Sequence, residues 1–412
     1  MSTFRPFRAV RPKKEYADKV AALPYDVMNS EEAREKVKGC PYSFIHVDKA
    51  EVDLPPETYL YSDEVYNKAA ENLTALSENK ICIQDNVPCF YIYRQIMGEV
   101  CQTGIVGCAG VDDYLDNTIK KHEYTRADKE EDRIRHVDTC NANTGPIFLA
   151  YRKNDSIDKI IDKYTALTPE YDFISEGDVK NTVWVISDKN DTEALSEAFT
   201  DVDNLYIADG HHRAASAVKV ALKRREENPG FDGSEEFNFF LAVAFRAEEL
   251  KIMDYNRLIK DTNGLSDEEM FAKLSDIFEI AEENEAVKPH RRHTFGFYYK
   301  NKWYRLTLKD GLSDESDALS SLDVSLLQKY VINDIFGIED PRTDKRIDFV
   351  GGIRGLKELE KRCSEDMSIA ISMFPTSLNE LMTIADMGQV MPPKSTWFEP
   401  KLLSGLFIHE LK

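Results

Sequence analysis

The sequence predicts an α/β (α+β) protein of two or three domains, and three observations support this prediction. Segments rich in β-branched and aromatic residues alternate along the chain with segments whose apolar residues have helical spacing. The chain has 412 residues, which is more than one ordinary hydrophobic core accommodates. Its composition, 42% hydrophobic and 31% charged residues, is that of a soluble globular protein. We expect three α/β regions, covering residues 1–115, 116–250 and 251–412.

The first region is expected to begin with a strand and to end in a β-hairpin. Ser30 is the expected N-cap of its second helix, and Met97-Gly98-Glu99 is the expected hairpin turn. The predicted elements are a strand at 4–10, helices at 13–23 and 30–37, a strand at 43–47, a helix at 57–77, and paired strands at 89–95 and 103–112.

The second region is expected to alternate strands and helices. Thr125 and Asp128 form a capping-box-like pair that predicts the start of a helix running to about residue 141. Arg133, Arg135 and His136 are expected on the exposed face of this helix, where one of them could reach an anion. The other predicted elements are strands at 146–151, 182–187, 205–208 and 237–245, and helices at 156–167, 192–199 and from about 211 through 222.

The third region is expected to contain an aromatic hairpin and several helices. Ser266 is its clearest predicted N-cap, and Asn301-Lys302 is the expected turn of the hairpin. The predicted elements are helices at 267–277, 322–336 and 378–387, a hairpin at 294–308, strands at 347–350, 367–373 and 406–409, and an extended loop at 391–397.

The most informative segment is the predicted turn from strand to helix at Asp209-Gly210-His211-His212-Arg213. The first N–H groups of a helix form a natural anion site, and Gly210 lets a ligand approach the backbone. Arg213 is placed to grip a phosphate, and Asp209 is placed to cap the helix or to hold magnesium. His211 and His212 point roughly 100° apart on a helix, so we do not expect both to bind one metal.

Two further segments place reactive side chains beside predicted elements. Glu123, next to His122, is a candidate base for a hydroxyl that attacks phosphorus. The closing segment Lys394-Ser395-Thr396 offers a cation and two hydroxyls for phosphate. Simpler explanations stay open, because Asp-Gly pairs often form plain turns and Glu123 can simply favour the positive end of the following helix. The Walker A, protein-kinase, GxSxG and HExxH motifs are absent from the sequence.

Charge and cysteine content narrow the functional class and the location. The net charge of −21 disfavours DNA binding, which requires a basic surface. The seven cysteines include no CxxC pair, which fits free thiols in a reducing cytoplasm. The basic start of the chain is not followed by the apolar segment of a secretory signal, and no apolar run has membrane-spanning length. We therefore expect a cytoplasmic protein with no nucleic-acid or membrane partner.

Several segments together resemble a widespread family of uncharacterised prokaryotic proteins. The central match is Ile207-Ala208-Asp209-Gly210-His211-His212-Arg213-Ala214-Ala215. The supporting segments are Pro24-Tyr25-Asp26-Val27, His122-Glu123-x-Thr125, Asn143-x-Gly145-Pro146-Ile147-Phe148, Met391-Pro392-Pro393-Lys394-Ser395-Thr396 and Pro400-Lys401-Leu402-Leu403-Ser404-Gly405-Leu406. The resemblance covers nearly the whole chain.

A more distant resemblance suggests an activity. Free-serine kinases of the ParB/sulfiredoxin-like fold present a His-Glu pair, then Asp-Gly-His-His-Arg, then a segment similar to the closing one here, in the same order. The resemblance implies a ParB/sulfiredoxin-like nucleotide-binding core at 116–250, with additional α/β regions on either side and a final loop that returns to the site. It also implies ATP or ADP as donor, with magnesium, and a serine-like acceptor. The implied roles are catalysis for Glu123, acceptor binding for His122, His211, Lys394 and Thr396, and nucleotide binding for Asp209, Gly210, His212, Arg213 and Ser395.

Two other functions remain open at this stage. ParB proteins share a Gly-x-x-Arg-x-x-Ala pattern, used for CTP, so a nucleotide-binding or nucleotide-hydrolysing switch without an acceptor is one alternative. A metal-dependent hydrolase built on His122, Glu123, His211 and His212 is the other, although no residue is assigned as a metal ligand in the leading hypothesis. The oligomeric state also stays open, with a homodimer among the alternatives.

Overall fold

A computed structural model describes residues 2–412 and confirms the α/β class. The strands are β1 Phe4–Arg5, β2 Val10–Pro12, β3 Cys82–Gln84, β4 Phe90–Met97, β5 Val100–Gly110, β6 Ile119–Lys120, β7 Ala142–Asn143, β8 Ile147–Tyr151, β9 Tyr171–Ser175, β10 Val179–Ile186, β11 Leu205–Asp209, β12 Phe239–Arg246, β13 Ile252–Met253, β14 Tyr255–Ile259, β15 Phe278–Glu283, β16 Thr294–Tyr299, β17 Lys302–Leu308, β18 Ile347–Gly351, β19 Ile369–Ser372, β20 Trp397–Phe398 and β21 His409–Glu410.

Helices of very different lengths connect these strands. The α-helices are α1 Ala17–Val20, α2 Ser30–Lys36, α3 Ile45–Asp48, α4 Asp63–Glu78, α5 Val111–Leu115, α6 Ala127–Cys140, α7 Asp155–Thr165, α8 Lys189–Thr200, α9 His211–Glu227, α10 Asp267–Ile277, α11 Asp323–Leu327, α12 Gly355–Glu365 and α13 Leu378–Asp386. A π-helical segment, Gln328–Asn333, continues directly from α11. No helix among residues 2–412 combines the length and apolar character needed to cross a membrane.

The chain forms two compact units. The first unit comprises residues 1–121, 125–250 and 400–412, and the second comprises residues 122–124 and 251–399. The closing residues of the chain thus belong with its beginning, and the short segment around Glu123 belongs with the C-terminal half. The three regions expected from the sequence stay a prediction.

The first unit is built on a mixed nine-stranded sheet. Its strand order is β6-β11-β8-β12-β5-β4-β10-β9, with β1 paired to β5. The pairs β6–β11 and β8–β12 are parallel, and the other pairs are antiparallel. Strand β12 lies near the middle of the sheet, and its residues 240–245 are all buried. Such burial on both faces explains why this segment is a continuous apolar run in the sequence. The predicted hairpin is confirmed as β4 and β5.

The second unit is built on a six-stranded antiparallel sheet of order β15-β17-β16-β19-β14-β18. Its apolar core contains Leu258, Tyr298, Trp303 and Leu359. Ser266 caps α10 as predicted, and Glu269 completes a capping box with it. The predicted aromatic hairpin is confirmed as β16 and β17, with Lys300 and Asn301 at its turn.

Several local predictions are wrong in whole or in part, and three of them concern α2, α3 and α11. The predicted strand at 43–47 is instead a helical turn, α3, because Val47 packs into a core cluster and the N–H of Phe44 donates to the carbonyl of Val20. Tertiary packing here overrides the β propensity of the segment. The N-cap of α2 is Asn29 rather than Ser30, because the Asn29 carboxamide accepts the N–H of Glu32. The helix predicted at 322–336 is an α-helix only to Leu327 and a π-helix from there to Asn333.

Candidate functional site

Strand β11 ends at Asp209 and helix α9 begins at His211, which places the predicted junction on a single turn. Gly210 joins them with φ 93° and ψ 29°, in the left-handed region. A Cβ at this position would lie 3.1–3.2 Å from the guanidinium of Arg213, so glycine satisfies both the backbone angle and the space. No side chain caps α9, whose first turn therefore presents N–H groups at the positive end of a 17-residue helix.

Asp209 has a different role from the predicted cap. Its Oδ1 accepts the N–H of Gly210 at 2.9 Å, and its Oδ2 accepts Nζ of Lys401 at 3.1 Å. Burial raises the pKa of the Asp209 carboxyl, but the charges of Lys401 and Arg213 lower it further than burial raises it, so the group is ionised. Capping, one of the two roles expected for Asp209, is wrong, because Gly210 is the N-cap residue and the carboxylate accepts the N–H of Gly210 and Nζ of Lys401.

Lys401 is a functional candidate that the reasoning from residue types missed. Its side chain is only 9% exposed, and a buried ammonium needs a charged partner, which Asp209 provides. Lys401 and Asp209 are 192 residues apart in the chain. The available signal was the segment Pro400-Lys401-Leu402, which belongs to the family resemblance but has no local pattern that indicates chemistry.

Arg213 is held firmly at the start of α9. Its Nη1 donates to the carbonyl oxygen of Pro146 at 2.6 Å, and its side chain is 13% exposed. A Cβ built on Gly145 would lie 3.5 Å from the same nitrogen, so the backbone on both sides confines the guanidinium. This confinement reduces the entropy that Arg213 would lose on binding an anion.

A small polar cavity of about 20 Å³ adjoins Arg213 in the first unit, with room for about one water molecule. Arg133, which also lines it, pairs with Asp132 at 2.9 Å and stacks 4.2 Å from the ring of Tyr25. Both Arg133 and His136 are buried, so the prediction that they lie on an exposed helix face is wrong for these two. The cavity is lined by Tyr25, Asp48, Arg133, His136, Val137, Asn143, Thr144, Gly145, Ile147, Arg213 and Ser404.

The two histidines of the junction have separate environments. His211 is buried, whereas Nε2 of His212 accepts the backbone N–H of Arg126 at 3.0 Å. This bond requires a lone pair on Nε2, so it favours the neutral tautomer protonated on Nδ1. The hydrogen bond between His212 and Arg126 therefore links the first turn of α9 to the start of α6.

The predicted capping box at the start of α6 does not form. Arg126 is the N-cap residue and makes no side-chain cap bond. The hydroxyl of Thr125 donates to Glu130 at 2.6 Å, and Lys219 forms an ion pair with the same carboxylate. Because its hydroxyl is bonded to Glu130, Thr125 does not cap α6.

In the second unit, the His122 and Lys394–Thr396 segments lie together. The N–H of Met391 donates to the carbonyl of His122 at 2.8 Å, and Nε2 of His122 lies 3.4 Å from Oγ1 of Thr396. His122 is 1% exposed. Two segments that are more than 260 residues apart in the sequence thus form one local structure.

The residues of the closing segment are used differently. Lys394 is exposed, has φ 60°, and places Nζ 5.8 Å from the ring centroid of Tyr255. The hydroxyl of Ser395 donates to the carbonyl of Pro392 at 2.5 Å, and the carbonyl of Ser395 accepts the hydroxyl of Thr376. Ser395 is therefore part of the turn that positions its neighbours.

Arg257 on β14 is a second buried cation that the sequence did not reveal. It is 4% exposed, donates to the carbonyl of Tyr255, and lies 5.4 Å from the ring of Phe349. Burial lowers the pKa of Arg257 to about 10, and the Tyr255 side chain offsets only part of this. Buried cations of this kind are candidates for anion binding.

The structure thus sorts the ten predicted site residues into two groups. Asp209, Gly210, His211, His212 and Arg213 lie at one junction of the first unit. The other five, His122, Glu123, Lys394, Ser395 and Thr396, belong to the second unit. Their predicted roles stay predictions.

Comparison with known proteins identifies the family. Residues 4–325, more than half of the chain, match the family described as "Protein of unknown function (DUF1015)". The chain belongs to the DUF1015 family. No curated protein matches this DUF1015 chain in sequence.

Several solved structures show low similarity to the DUF1015 chain. A mutant free serine kinase in complex with ADP is 15% identical, with 72% of this chain and 87% of that chain covered and a TM-score of 0.36. A conserved hypothetical protein from Pyrococcus furiosus is 16% identical, with 73% and 92% covered and a TM-score of 0.36. C-terminally truncated SbnI from Staphylococcus aureus is 10% identical, with 72% and 85% covered and a TM-score of 0.38.

Proposed function

We propose that this protein is a small-molecule kinase. In this proposal it transfers a phosphoryl group from ATP or ADP to the hydroxyl of free L-serine or a similar amino acid. The observation that carries the proposal is the uncapped start of α9 at Gly210, with two confined cations, Arg213 and Lys401, beside it.

The junction has the properties that a nucleotide phosphate requires. Helix N–H groups and a guanidinium favour a bound anion, and Gly210 leaves no side chain over the backbone. Asp209 holds Lys401 and Arg213 in place, since it is ionised between them. A phosphate would therefore meet cations that are already positioned, and positioned charges stabilise transferring phosphoryl groups most effectively.

Magnesium fits this junction less well than phosphate does. Both oxygens of Asp209 already accept hydrogen bonds, from Gly210 and Lys401. A metal bound by Asp209 would displace Lys401. We therefore expect magnesium to enter with the nucleotide, bound mainly by phosphate oxygens, as this ion commonly is.

The resemblance to free-serine kinases supplies the role of Glu123. As the acceptor hydroxyl oxygen forms a bond to phosphorus, its proton passes to the carboxylate of Glu123. The bond between that phosphorus and the leaving oxygen of the nucleotide breaks, and its electron pair stays with the nucleotide. The same resemblance supports acceptor binding by His122, His211, Lys394 and Thr396, and nucleotide binding by Gly210, His212, Arg213 and Ser395.

Three further expectations accompany the proposal. The nucleotide site lies in a ParB/sulfiredoxin-like core, and the protein is cytoplasmic and acts without nucleic acid. The seven cysteines are free thiols, as a reducing location would keep them. A homodimer is compatible with all of these expectations.

Phosphorus NMR tests the proposal directly. Purified protein is incubated with magnesium, a panel of nucleoside di- and triphosphates, and L-serine. We expect a new phosphomonoester that requires serine, and we expect Glu123→Gln to slow its formation by about 10²–10⁴-fold, the usual contribution of a general base. Glu131→Gln, which changes an exposed glutamate on α6, is the matched control and should leave the rate unchanged.

The other outcomes identify the alternative functions. Free phosphate without a phosphomonoester would replace the kinase with a nucleotide-hydrolysing switch. Stoichiometric zinc by elemental analysis, with unchanged nucleotides, would favour the metal-dependent hydrolase. Full activity of Glu123→Gln would show that the base is assigned to the wrong residue.

A further inference from the structure

The second unit contains an open cleft of about 630 Å³ that no role assigned so far explains. Sites for ligands of drug size have volumes of about 300–1,000 Å³. Four chain segments contribute to the cleft. They supply Glu123, Tyr124, Asp317, Leu319, Ser320, Ser325, Gln328, Lys329, Glu339, Asp340, Pro341, Arg342, Val390, Met391, Pro392 and Pro393.

One wall of the cleft is a helical face with an unusual backbone. Ser325, Gln328 and Lys329 share this face because they are three and four residues apart. After Leu327 the helix becomes π-helical, and the N–H of Asp334 donates to the carbonyl of Lys329, five residues earlier. Such segments occur frequently at functional sites, where they redirect side chains. Gln328 is anchored by a bond from its amide to the carbonyl of Ile338.

Ser325 provides an independent indication of a ligand. Its hydroxyl oxygen is buried and has no hydrogen-bond partner among residues 2–412. Buried hydroxyls are almost always satisfied, because an unsatisfied one costs about 1–3 kcal/mol. Ser325 lines the cleft, so rotation about its Cα–Cβ bond would let the hydroxyl bond to a polar group bound there.

The charges of the cleft favour a cation. Four carboxylates line it, against the two cations Lys329 and Arg342. Arg342 is neutralised by Asp340, with which it makes two hydrogen bonds of 2.9 Å. Asp317 and Glu339 then face the single ammonium of Lys329, so the local potential is negative and attracts positively charged ligands.

Apolar surface occupies much of the remaining lining. Leu319, Pro341, Val390 and Met391 contribute to it, and the ring of Tyr124 is 67% exposed. An exposed aromatic ring beside aliphatic residues and prolines is a favourable surface for an apolar group. A ligand complementary to the cleft therefore combines a cationic end with an apolar portion.

We propose that this cleft binds the phosphoryl acceptor, and that the acceptor is a hydroxyl compound with an ammonium group and an apolar portion, larger than free serine. The inference rests on the proposed kinase function, because Glu123, its proposed base, lines the same cleft. Two proposed acceptor-binding residues, His122 and Lys394, are the chain neighbours of Glu123 and Pro393, which line the cleft. Free serine would leave most of the space empty, and its carboxylate would face three others. The hydroxyl of the larger acceptor loses its proton to Glu123 as its oxygen bonds to phosphorus, and the nucleotide leaves with the electron pair of the broken bond.

Titration calorimetry with two matched probes tests the inference. L-seryl-L-leucine amide has a hydroxyl, an ammonium group and an apolar side chain, whereas its N-acetyl derivative lacks only the charge. We expect the free amine to bind at least ten-fold more tightly than both the N-acetyl derivative and L-serine. Val390→Trp, which fills the cleft, should abolish binding, and Glu339→Gln, an exposed change, should weaken it several-fold. Asp310→Asn, an exposed aspartate outside the cleft, is the control.

The outcomes separate this inference from the proposed function. Phosphoryl transfer to L-serine, combined with equal or no binding of the two peptide probes, would overturn the acceptor assignment and leave the kinase in place. Amine-dependent binding that Glu339→Gln weakens, followed by transfer to the peptide hydroxyl, would support both. Amine-dependent binding without any phosphomonoester from either acceptor would overturn the kinase and, with it, the identification of the ligand as an acceptor.

Discussion

Two aspartates, one in each unit, have opposite electrostatic environments. Asp209 in the first unit lies between Lys401 and Arg213, and its pKa is lowered despite its burial. Asp323, at the start of α11 in the second unit, accepts the N–H of His293, but burial raises its pKa to about 6. In the first unit, positive charges near the carboxylate stabilise its ionised form. In the second, the carboxylate is buried with too few favourable interactions to offset its loss of solvation.

The same contrast distinguishes the two candidate binding regions. The junction at Gly210 is cationic and confined, which suits a nucleotide phosphate. The cleft of the second unit is open and predominantly acidic, which suits an amine. The two regions therefore favour ligands of opposite charge.

The largest expected effect comes from removing the cation of the first region. Lys401→Met removes the nearest cation from the largely buried carboxylate of Asp209 and leaves the guanidinium of Arg213 at 3.9 Å. We expect a loss of about 3–4 kcal/mol in the free energy of unfolding, measured by urea denaturation, since breaking a buried pair strands one charge. Asp209→Asn in the Lys401→Met background should recover part of this loss. Lys153→Met, at an exposed ion pair with Asp155, should change nothing measurable.

A second expected effect is a pH dependence that belongs to Asp323. Its pKa is about 6 in the folded protein, above the value of about 3.9 in an unfolded chain. Its contribution to stability is therefore fully present below pH 4 and is lost as the pH rises to 6, by on the order of 2–3 kcal/mol. Asp323→Asn should remove this change from urea unfolding curves measured at pH 4, 5, 6 and 7.

The pH dependence of stability expected from Asp209 has the opposite sign, so Asp209 serves as an internal comparison for Asp323. Its folded pKa lies below the unfolded value, so its contribution is present above pH 4 and is lost only at lower pH. The unfolding difference between wild type and Asp209→Asn should thus stay constant from pH 5 to 7. A change for Asp209→Asn in the range from pH 5 to 7 would contradict the contrast between the two aspartates.

The smallest expected effect on stability comes from Gly210→Ala. The left-handed backbone disfavours alanine by about 1–2 kcal/mol, and the new Cβ would press on Arg213. We expect the affinity for ATP with magnesium, measured by calorimetry, to fall at least ten-fold. Gly98 in the β4–β5 turn has φ 57° and open space around it. The control variant Gly98→Ala should therefore lower the free energy of unfolding by a similar amount without changing the affinity for ATP. Equal losses of affinity in both variants would remove Gly210 from the binding site.

Local patterns predicted the elements whose signals lie within a few residues. The β4–β5 hairpin, the apolar strand β12 and the capping box at Ser266 follow from alternation, burial and capping chemistry, and all are confirmed. The junction from β11 to α9 was found in the same way, because Gly210 and the charged residues after it are consecutive. In these elements the physical cause is local, so residue types alone were sufficient.

Tertiary structure decided the partners of the buried charges. Lys401 reaches Asp209 across 192 residues, Arg133 and His136 turn inward, and the segment containing Val47 folds as a helix because it packs there. The solvation energy of a charged group depends on the atoms that surround it in the folded protein, and the neighbouring residues in the sequence do not specify those atoms. The sequence by itself therefore determined the α/β class, the strand-to-helix junction and the candidate residues, whereas only the folded chain decided which carboxylate is ionised, which cation is buried and where an acidic cleft opens.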